Sequence, residues 1–379
     1  MESQVLILGA GFSFHAGLPL QSHFTEALLA ARTFADGKPS RVLTDYLCRF
    51  VHDSFGHDLD AKACFWPALE DLFTCVDLSA NTGHHLGRTY SPAALRTVRR
   101  ALISRIIRML REKYAKSAKH PDERRKRLVQ LLSNLDLQNT SFVSLNWDVA
   151  LEQMLSETQS DYAIRYGASE RAFDFDGVSK SPAAARPKDV VRLAKIHGSI
   201  NWLYCDNCRR LYTVSPGQIN RIADQLLSNS DWDAIGKLLD LTIDDDLKKP
   251  QQDCPCCPDV PLGTRIATFS YRKALDFPMF QRTWFSAEQL LARAATWVFI
   301  GYSLPAADFE FKYLLKRVQL ARSKKPKIVI VTGGGSKATN ATVENYQRFF
   351  GDRIRKDRIF KQEIDDDAIA CMTKTSAPG

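Results

Sequence analysis

No run of this 379-residue chain approaches the ~20 consecutive apolar residues that a membrane-spanning helix needs. Its first residues also lack the basic start, apolar stretch and small-residue cleavage site of a secretory leader. A cytoplasmic protein without membrane contact is expected. Cysteine is scarce: nine residues, an odd number, are too few in a chain of this length for a secreted disulfide scaffold. Cys48, Cys64, Cys75 and Cys371 read as reduced, buried thiols. Acidic residues fall short of basic ones, 43 against 52, but the imbalance is local. Thirteen Lys and Arg lie between Ser91 and Arg127 against Glu112, Asp122 and Glu123, enough to account for the whole net charge of +9. The remaining composition is that of a globular protein with one large or two moderate domains.

What is present begins with Val5-Leu-Ile-Leu-Gly9-Ala-Gly11-Phe-Ser13-Phe-His-Ala-Gly17-Leu-Pro19. It reads as a buried parallel strand, a tight turn and a helix start. Without a Cβ, Gly9 and Gly11 allow a ligand such as a dinucleotide pyrophosphate to approach the amides of that turn. The dinucleotide fingerprint is incomplete, because its third glycine would fall at Phe14 and arrives at Gly17. An ordinary strand-turn-helix junction would use the same residues.

Thr140 to Asp148, Val190 to Ser199, Thr296 to Pro305 and Lys327 to Ser336 repeat the theme of an apolar run ending in small or polar residues. With a helix between Asp308 and Gln319, they predict an α/β fold: a Rossmann-like doubly wound parallel sheet with a lined crevice. In such sheets ligands bind beyond the carboxyl ends of the strands, which is where Asn146 and Asp148 fall. The alternatives are a turn residue at Asn146 and a helix N-cap at Asp148. His197 ends another strand, where a neutral imidazole can accept a proton near pH 7; a lone histidine is also often structural. The glycine run at Gly333 lacks the spacing of a phosphate-binding P-loop.

Helices are expected over Gln21 to Arg32 and Asp45 to Val51. Glu70 and Asp71 read either as catalytic carboxylates or as a solvated helix face. Leu95, Val98, Leu102, Ile106, Met109 and Leu110 recur at helical spacing, so the basic segment predicts an amphipathic helix with one buried stripe and an opposite charged face. That face suits nucleic acid, an acidic partner or plain solvent. Ala163 to Lys188 reads as a long loop, and the charged segment from Asp352 as a frayed tail. Cys205-Asp-Asn-Cys208 and Cys254-Pro-Cys256-Cys257 supply two C-x-x-C knuckles, which suit a closed tetrahedral zinc site. The 45 intervening residues require an insertion, including the helical Ile219 to Leu239, to loop out. Free thiols or a redox pair are the alternative, and Cys256 can stand in for either neighbour.

Taken in order, Gly9-Ala-Gly11-Phe-Ser13 with Gly17-Leu-Pro19, Asn146-Trp-Asp148, His197-Gly198, the paired knuckles and Gly301-Tyr-Ser303 resemble the sirtuin catalytic domain. They resemble more closely the sirtuin-like NAD-hydrolase domains of bacterial anti-phage defence proteins, from Val5 to about Thr332. The resemblance implies a catalytic domain over 1–350, with a helical insertion at 40–135 and a zinc-knuckle module at 201–262, followed by a charged tail at 351–379. By position, Gly9, Ala10, Gly11, Ser13 and Pro19 would bind NAD around its pyrophosphate, and Gly301 and Ser303 would line its adenosine ribose. Asn146 would hold the nicotinamide ribose or the attacking water, Asp148 the carboxamide, and His197 the ribose hydroxyls as a base. Cys205, Cys208, Cys254 and Cys257 would hold zinc.

The implied activity is hydrolysis of NAD to nicotinamide and ADP-ribose, depleting the cell as an abortive-infection effector. Its trigger would be a HerA-type ATPase, a short Argonaute-type partner or self-assembly into a homo-oligomer, with the basic helix as a docking or nucleic-acid face. Departures from the protein-deacylase pattern favour this activity. Leu20-Gln21-Ser22 replaces an aspartate-phenylalanine-arginine run, Leu145 replaces a glutamine, and Ala267-Thr-Phe-Ser-Tyr271-Arg-Lys replaces the acyl-lysine strand. An NAD-dependent deacylase, or a module sensing NAD or ADP-ribose without turnover, are the rival expectations.

Overall fold

A computed structural model describes residues 3–31, 33–57, 65–159, 162–177, 190–264, 266 and 278–373. Cys64 and the Ala267-to-Lys273 stretch lie outside the described residues. The chain starts in the middle of its sheet with β1 (Gln4–Leu8), which runs into the short helix α1 (Ala10–His15). A helical block follows: α2 (Phe24–Leu29), α3 (Lys38–Phe55), α4 (Leu69–Thr82), α5 (Pro92–Lys119) and α6 (Glu123–Ser133). β2 (Thr140–Ser144), α7 (Ala150–Thr158), β3 (Ala163–Arg165), β4 (Arg171–Phe173) and β5 (Val190–Lys195) come next. The cysteine module comprises β6 (Trp202–Tyr204), β7 (Leu211–Val214), α8 (Ile219–Gln225), α9 (Asn229–Leu239), β8 (Asp253–Cys254) and β9 (Cys257–Pro261). The last elements are α10 (Pro278–Arg293), β10 (Thr296–Ile300), α11 (Phe309–Ala321), β11 (Lys327–Val331), α12 (Ser336–Phe350), β12 (Ile359–Phe360) and α13 (Asp366–Thr373).

Seven strands form one parallel sheet in the order β12-β11-β10-β1-β2-β5-β3. From β1 the chain first builds outward through β2 and β5, then crosses back to build β10, β11 and β12 on the other side. This is the expected doubly wound arrangement, with its topological switch at β1. Both faces are covered, which explains the uninterrupted apolar runs. Side chains alternate across a strand, so Val5 and Ile7 join one core with Trp297, Phe299, Ile328 and Ile330, under α10, α11 and α12. Leu6 and Leu8 join the other with Phe142, Val298 and Ile300, under the helical block and α7.

Six expectations require correction. The presumed loop after Ala163 contains β3, which extends the main sheet, and β4, which pairs with β7. The helix expected over Gln21 to Arg32 is broken into a 3-10 turn at Gln21–His23 followed by α2, and α3 is far longer than Asp45 to Val51.

The basic helix does not carry one buried stripe and one charged face. Every residue from Ala101 to Leu110 of α5 is buried, Arg105 and Arg108 included. Arg108 is clamped by Asp36 and Asp224, each at 2.5 Å, and Arg105 donates to Thr44 Oγ1 at 2.9 Å. Arg100 donates from Nε to Asp231 Oδ2 at 2.9 Å, and Arg125 reaches Glu157 at 2.6 Å. A buried cation must be paired to be tolerated, so much of the apparent excess charge serves internal packing. The insertion between the knuckles supplies Asp224 and Asp231, so α8 and α9 are cemented to α5 and do not loop free.

As far as residue 373, the segment after Asp352 is not frayed. β12 closes the sheet edge against β11, Ala368 and Met372 of α13 are buried, and Gln4 Nε2 donates to the Met372 carbonyl at 2.9 Å.

Candidate functional site

The loops leaving β1, β2, β5 and β10 converge at the carboxyl edge of the sheet. Their floor is a contact between two backbones. Gly9 N donates to Ile300 O at 3.1 Å and Gly11 N to Gly301 O at 2.9 Å. A Cβ on Gly11 would lie 2.6 Å from the Gly301 Cα, and one on Gly9 would lie 2.6 Å from the Gly301 carbonyl oxygen. Gly301 itself has φ +60°, a left-handed conformation that favours glycine. These glycines therefore let β1 and β10 dock, and two amides expected to face a ligand are already spent.

Above this floor lies a cavity of about 390 Å³. Of the residues expected to bind or react, Gly9, Ala10, Ser13, Pro19, Asn146, Asp148, His197, Gly301 and Ser303 line it; Gly11 lies beneath. Its polar centre is a hydrogen-bonded row. Asn146 Nδ2 donates to the Gly9 carbonyl and to Ser13 Oγ, both at 2.8 Å, and Ser13 Oγ donates to Asp148 Oδ2 at 2.8 Å. Asp148 Oδ1 accepts from Ala150 N at 2.9 Å, an Asx-type turn one residue ahead of Val149, the N-cap of α7. The turn and the pocket lining share one carboxylate. With both amide hydrogens held, Asn146 presents its oxygen to a ligand. His197 is buried, with Nδ1 3.1 Å from the Leu145 carbonyl. That contact selects the tautomer with hydrogen on Nδ1 and the lone pair on Nε2.

Two lining carboxylates were not placed here by their sequence positions. Glu70, in the first turn of α4, has a buried Oε1 without a hydrogen-bond partner among the described residues; Glu310 Oε2, in the first turn of α11, is in the same state. Burial, with the neighbouring Asp71 charge adding to it, raises the Glu70 pKa above its ordinary value. For Glu310 the only available signal is an acidic residue at the start of the helix that follows a sheet strand. Asp308 also lines the cavity and accepts from Tyr302 Oη at 3.0 Å. Among the described lining residues there is no Lys or Arg. The pocket is acidic.

The four predicted cysteines meet on the far side of β6. Cys205 and Cys208 lie in the β6–β7 turn, and Cys254 and Cys257 are the paired strand ends that flank the β8–β9 turn; all four Sγ atoms lie within 4.8 Å of one another. Reciprocal bonds between Tyr204 and Gly263, at 2.7 and 3.0 Å, tie the two knuckles together. The Cys208–Cys254 separation of 3.7 Å matches the edge of a tetrahedron with Zn–S bonds of about 2.3 Å and exceeds a disulfide bond. The donor set fits zinc. Cys256, the alternative ligand, is exposed and accepts from Tyr212 Oη at 3.5 Å. Burial pushes the Cys254 thiol up, but hydrogen bonds from Tyr212, the Cys256 amide and neighbouring thiols outweigh it and bring the pKa down to about 7.

Fold and site together define a doubly wound α/β protein with an acidic crevice at its switch point and a four-thiol module beside it. No protein-family model matches the chain, and no curated protein does. Solved structures of similar topology include one described as "Structural Basis for the Mechanism and Regulation of Sir2 Enzymes", with 15% identity, a TM-score of 0.38, and coverage of 99% of this chain and 93% of that one. Another, described as "Sir2-p53 peptide-NAD+", has 12% identity and a TM-score of 0.35, covering 98% and 92%. A third, "Structure of Sir2Tm bound to a propionylated peptide", has 12% identity and a TM-score of 0.36, covering 98% and 91%.

Proposed function

We propose that the crevice binds NAD and hydrolyses its nicotinamide–ribose bond. The observation that carries this reading is the Asn146–Ser13–Asp148 row, which opens with His197 onto one pocket at the topological switch. In the reaction, the bond from ribose C1′ to the pyridinium nitrogen breaks and its electron pair leaves with nicotinamide, neutralising the ring. Water supplies the new C1′–O bond and loses a proton. The leaving group is already cationic before cleavage, so no strong general acid is required.

The chain's residues suit the remaining tasks. The Asn146 oxygen accepts from the water and turns its lone pair toward C1′. His197 Nε2 takes a ribose-hydroxyl or water proton, and Asp148, fixed by Ser13 and the Ala150 amide, holds the carboxamide. The acidic lining favours positive charge growing on the ribose. The neighbours described with peptide or NAD keep a protein deacylase as the competing reading.

Unregulated hydrolysis would exhaust the cell, so we further propose an anti-phage effector that stays silent until a partner or self-assembly activates it. The test is nicotinamide release from NAD by purified protein, with and without an acetylated peptide and with candidate activators. Release without peptide is expected, falling at least a hundredfold in Asn146→Ala and His197→Ala. Release that requires peptide would establish the deacylase; unchanged release in both variants would overturn the site.

A further inference from the structure

We infer that the chain has a second ligand site, for an uncharged aromatic molecule bearing N–H or O–H donors such as a nucleoside, and that its occupancy is felt in the first pocket. A cavity of about 740 Å³ lies between α7, β3 and the β4–β7 pair, away from the sheet's carboxyl edge. Its floor holds Asn201, which is 1% exposed. The Asn201 amide donates to Tyr166 Oη at 3.1 Å and to the Val214 carbonyl at 3.0 Å, while its oxygen is buried without a partner. A buried amide oxygen left unpaired is costly unless something donates to it. Tyr166 and Phe173 supply apolar wall.

Charge decides the ligand class. Of the lining acids, Glu152 is paired with Lys195 and Glu157 with Arg125, leaving Glu170 and Asp174 against one arginine, Arg165. A phosphate would meet net negative charge here. An uncharged nucleoside is the ligand this balance favours.

The route to the first pocket is continuous. Tyr166 Oη donates to Glu152 Oε1 at 3.2 Å; Lys195 Nζ donates to the same oxygen at 3.0 Å and also to the Asp148 carbonyl. From Asp148 the bonds run through Ser13 to Asn146. Lys195 and Glu152 are 1% and 3% exposed, so this ion pair is locked in low dielectric and shifts only if its partners shift. Binding at the second site does not depend on what the first pocket holds; the coupling rests on the NAD reading.

Adenosine and AMP titrated calorimetrically into the whole protein test both halves. Adenosine is expected to bind wild type and Asn146→Ala alike, with AMP weaker. Asn201→Leu should weaken adenosine about tenfold, the worth of one buried hydrogen bond. Ser156→Trp, which adds bulk at an exposed lining position on α7, should abolish binding, with circular dichroism confirming that both variants fold. Saturating adenosine should change NAD affinity in wild type, and Tyr166→Phe should remove that change while adenosine still binds. No adenosine binding to wild type, or binding kept in Ser156→Trp, overturns the site. Unchanged NAD affinity overturns the coupling. Should wild type bind adenosine but not NAD, the reading of the first pocket fails and the second site stands.

Discussion

The Glu70 carboxyl gives up solvent and gains only a bond from its own backbone, with Oε1 left unpaired, so its charged form is disfavoured in the folded protein. A raised folded-state pKa means that stability is fullest below the unfolded value near 4.3 and declines as pH rises through the folded value. Glu70→Gln is therefore expected to raise the thermal midpoint by a few degrees at pH 8 and by nothing at pH 4, as read by calorimetry. If nicotinamide release falls in the same variant, the pocket gives up stability for function. Asn146 and Asp148 were legible because polar residues closing an apolar run stand out. Glu70 was ambiguous, since one carboxylate beside a helical stripe looks the same whether it faces water or a pocket. The sequence offers Gly11 as a ligand contact; nothing local in it reveals that the missing side chain makes room for Gly301.

At the scale of elements, β1, β2, β5, β10 and β11 were readable because each is apolar on both faces. β3 and β4, three residues each, are too short to show a period. The partners of α5 were also hidden: Asp36, Asp224 and Asp231 are remote in sequence from the arginines they neutralise. Asp231 takes Arg100 and Thr97 together while capping α9 through Ser228. Burial pushes its pKa up, but the Arg100 and Thr97 hydrogen bonds prevail and hold it below the ordinary range. Its contribution is thus present above the unfolded value near 3.9 and is lost as pH falls through the lower folded value. Asp231→Ala should cost about 3 kcal/mol in denaturant unfolding near neutral pH, with the gap to wild type closing in acid.

For the molecule as a whole, the thiol module and the helical block share one core: Cys205 and Cys254 are buried in the same cluster as α3, α5 and α7. Metal analysis should return one zinc per chain. Chelation, or Cys208→Ser, should lower the thermal midpoint sharply, because metal binding of this kind contributes directly to folding; Cys256→Ser should leave zinc content unchanged. A different consequence follows from the glycine contact between β1 and β10. Two loops riveted backbone to backbone part reluctantly, so the pocket has to admit its guest past other parts of its lining, to which the first turns of α4 and α11 contribute. Amide exchange would register this as a split: the Gly9 and Gly11 hydrogens among the slowest to leave the protein, and those opening α4 and α11 among the quickest, slowing when the guest is bound.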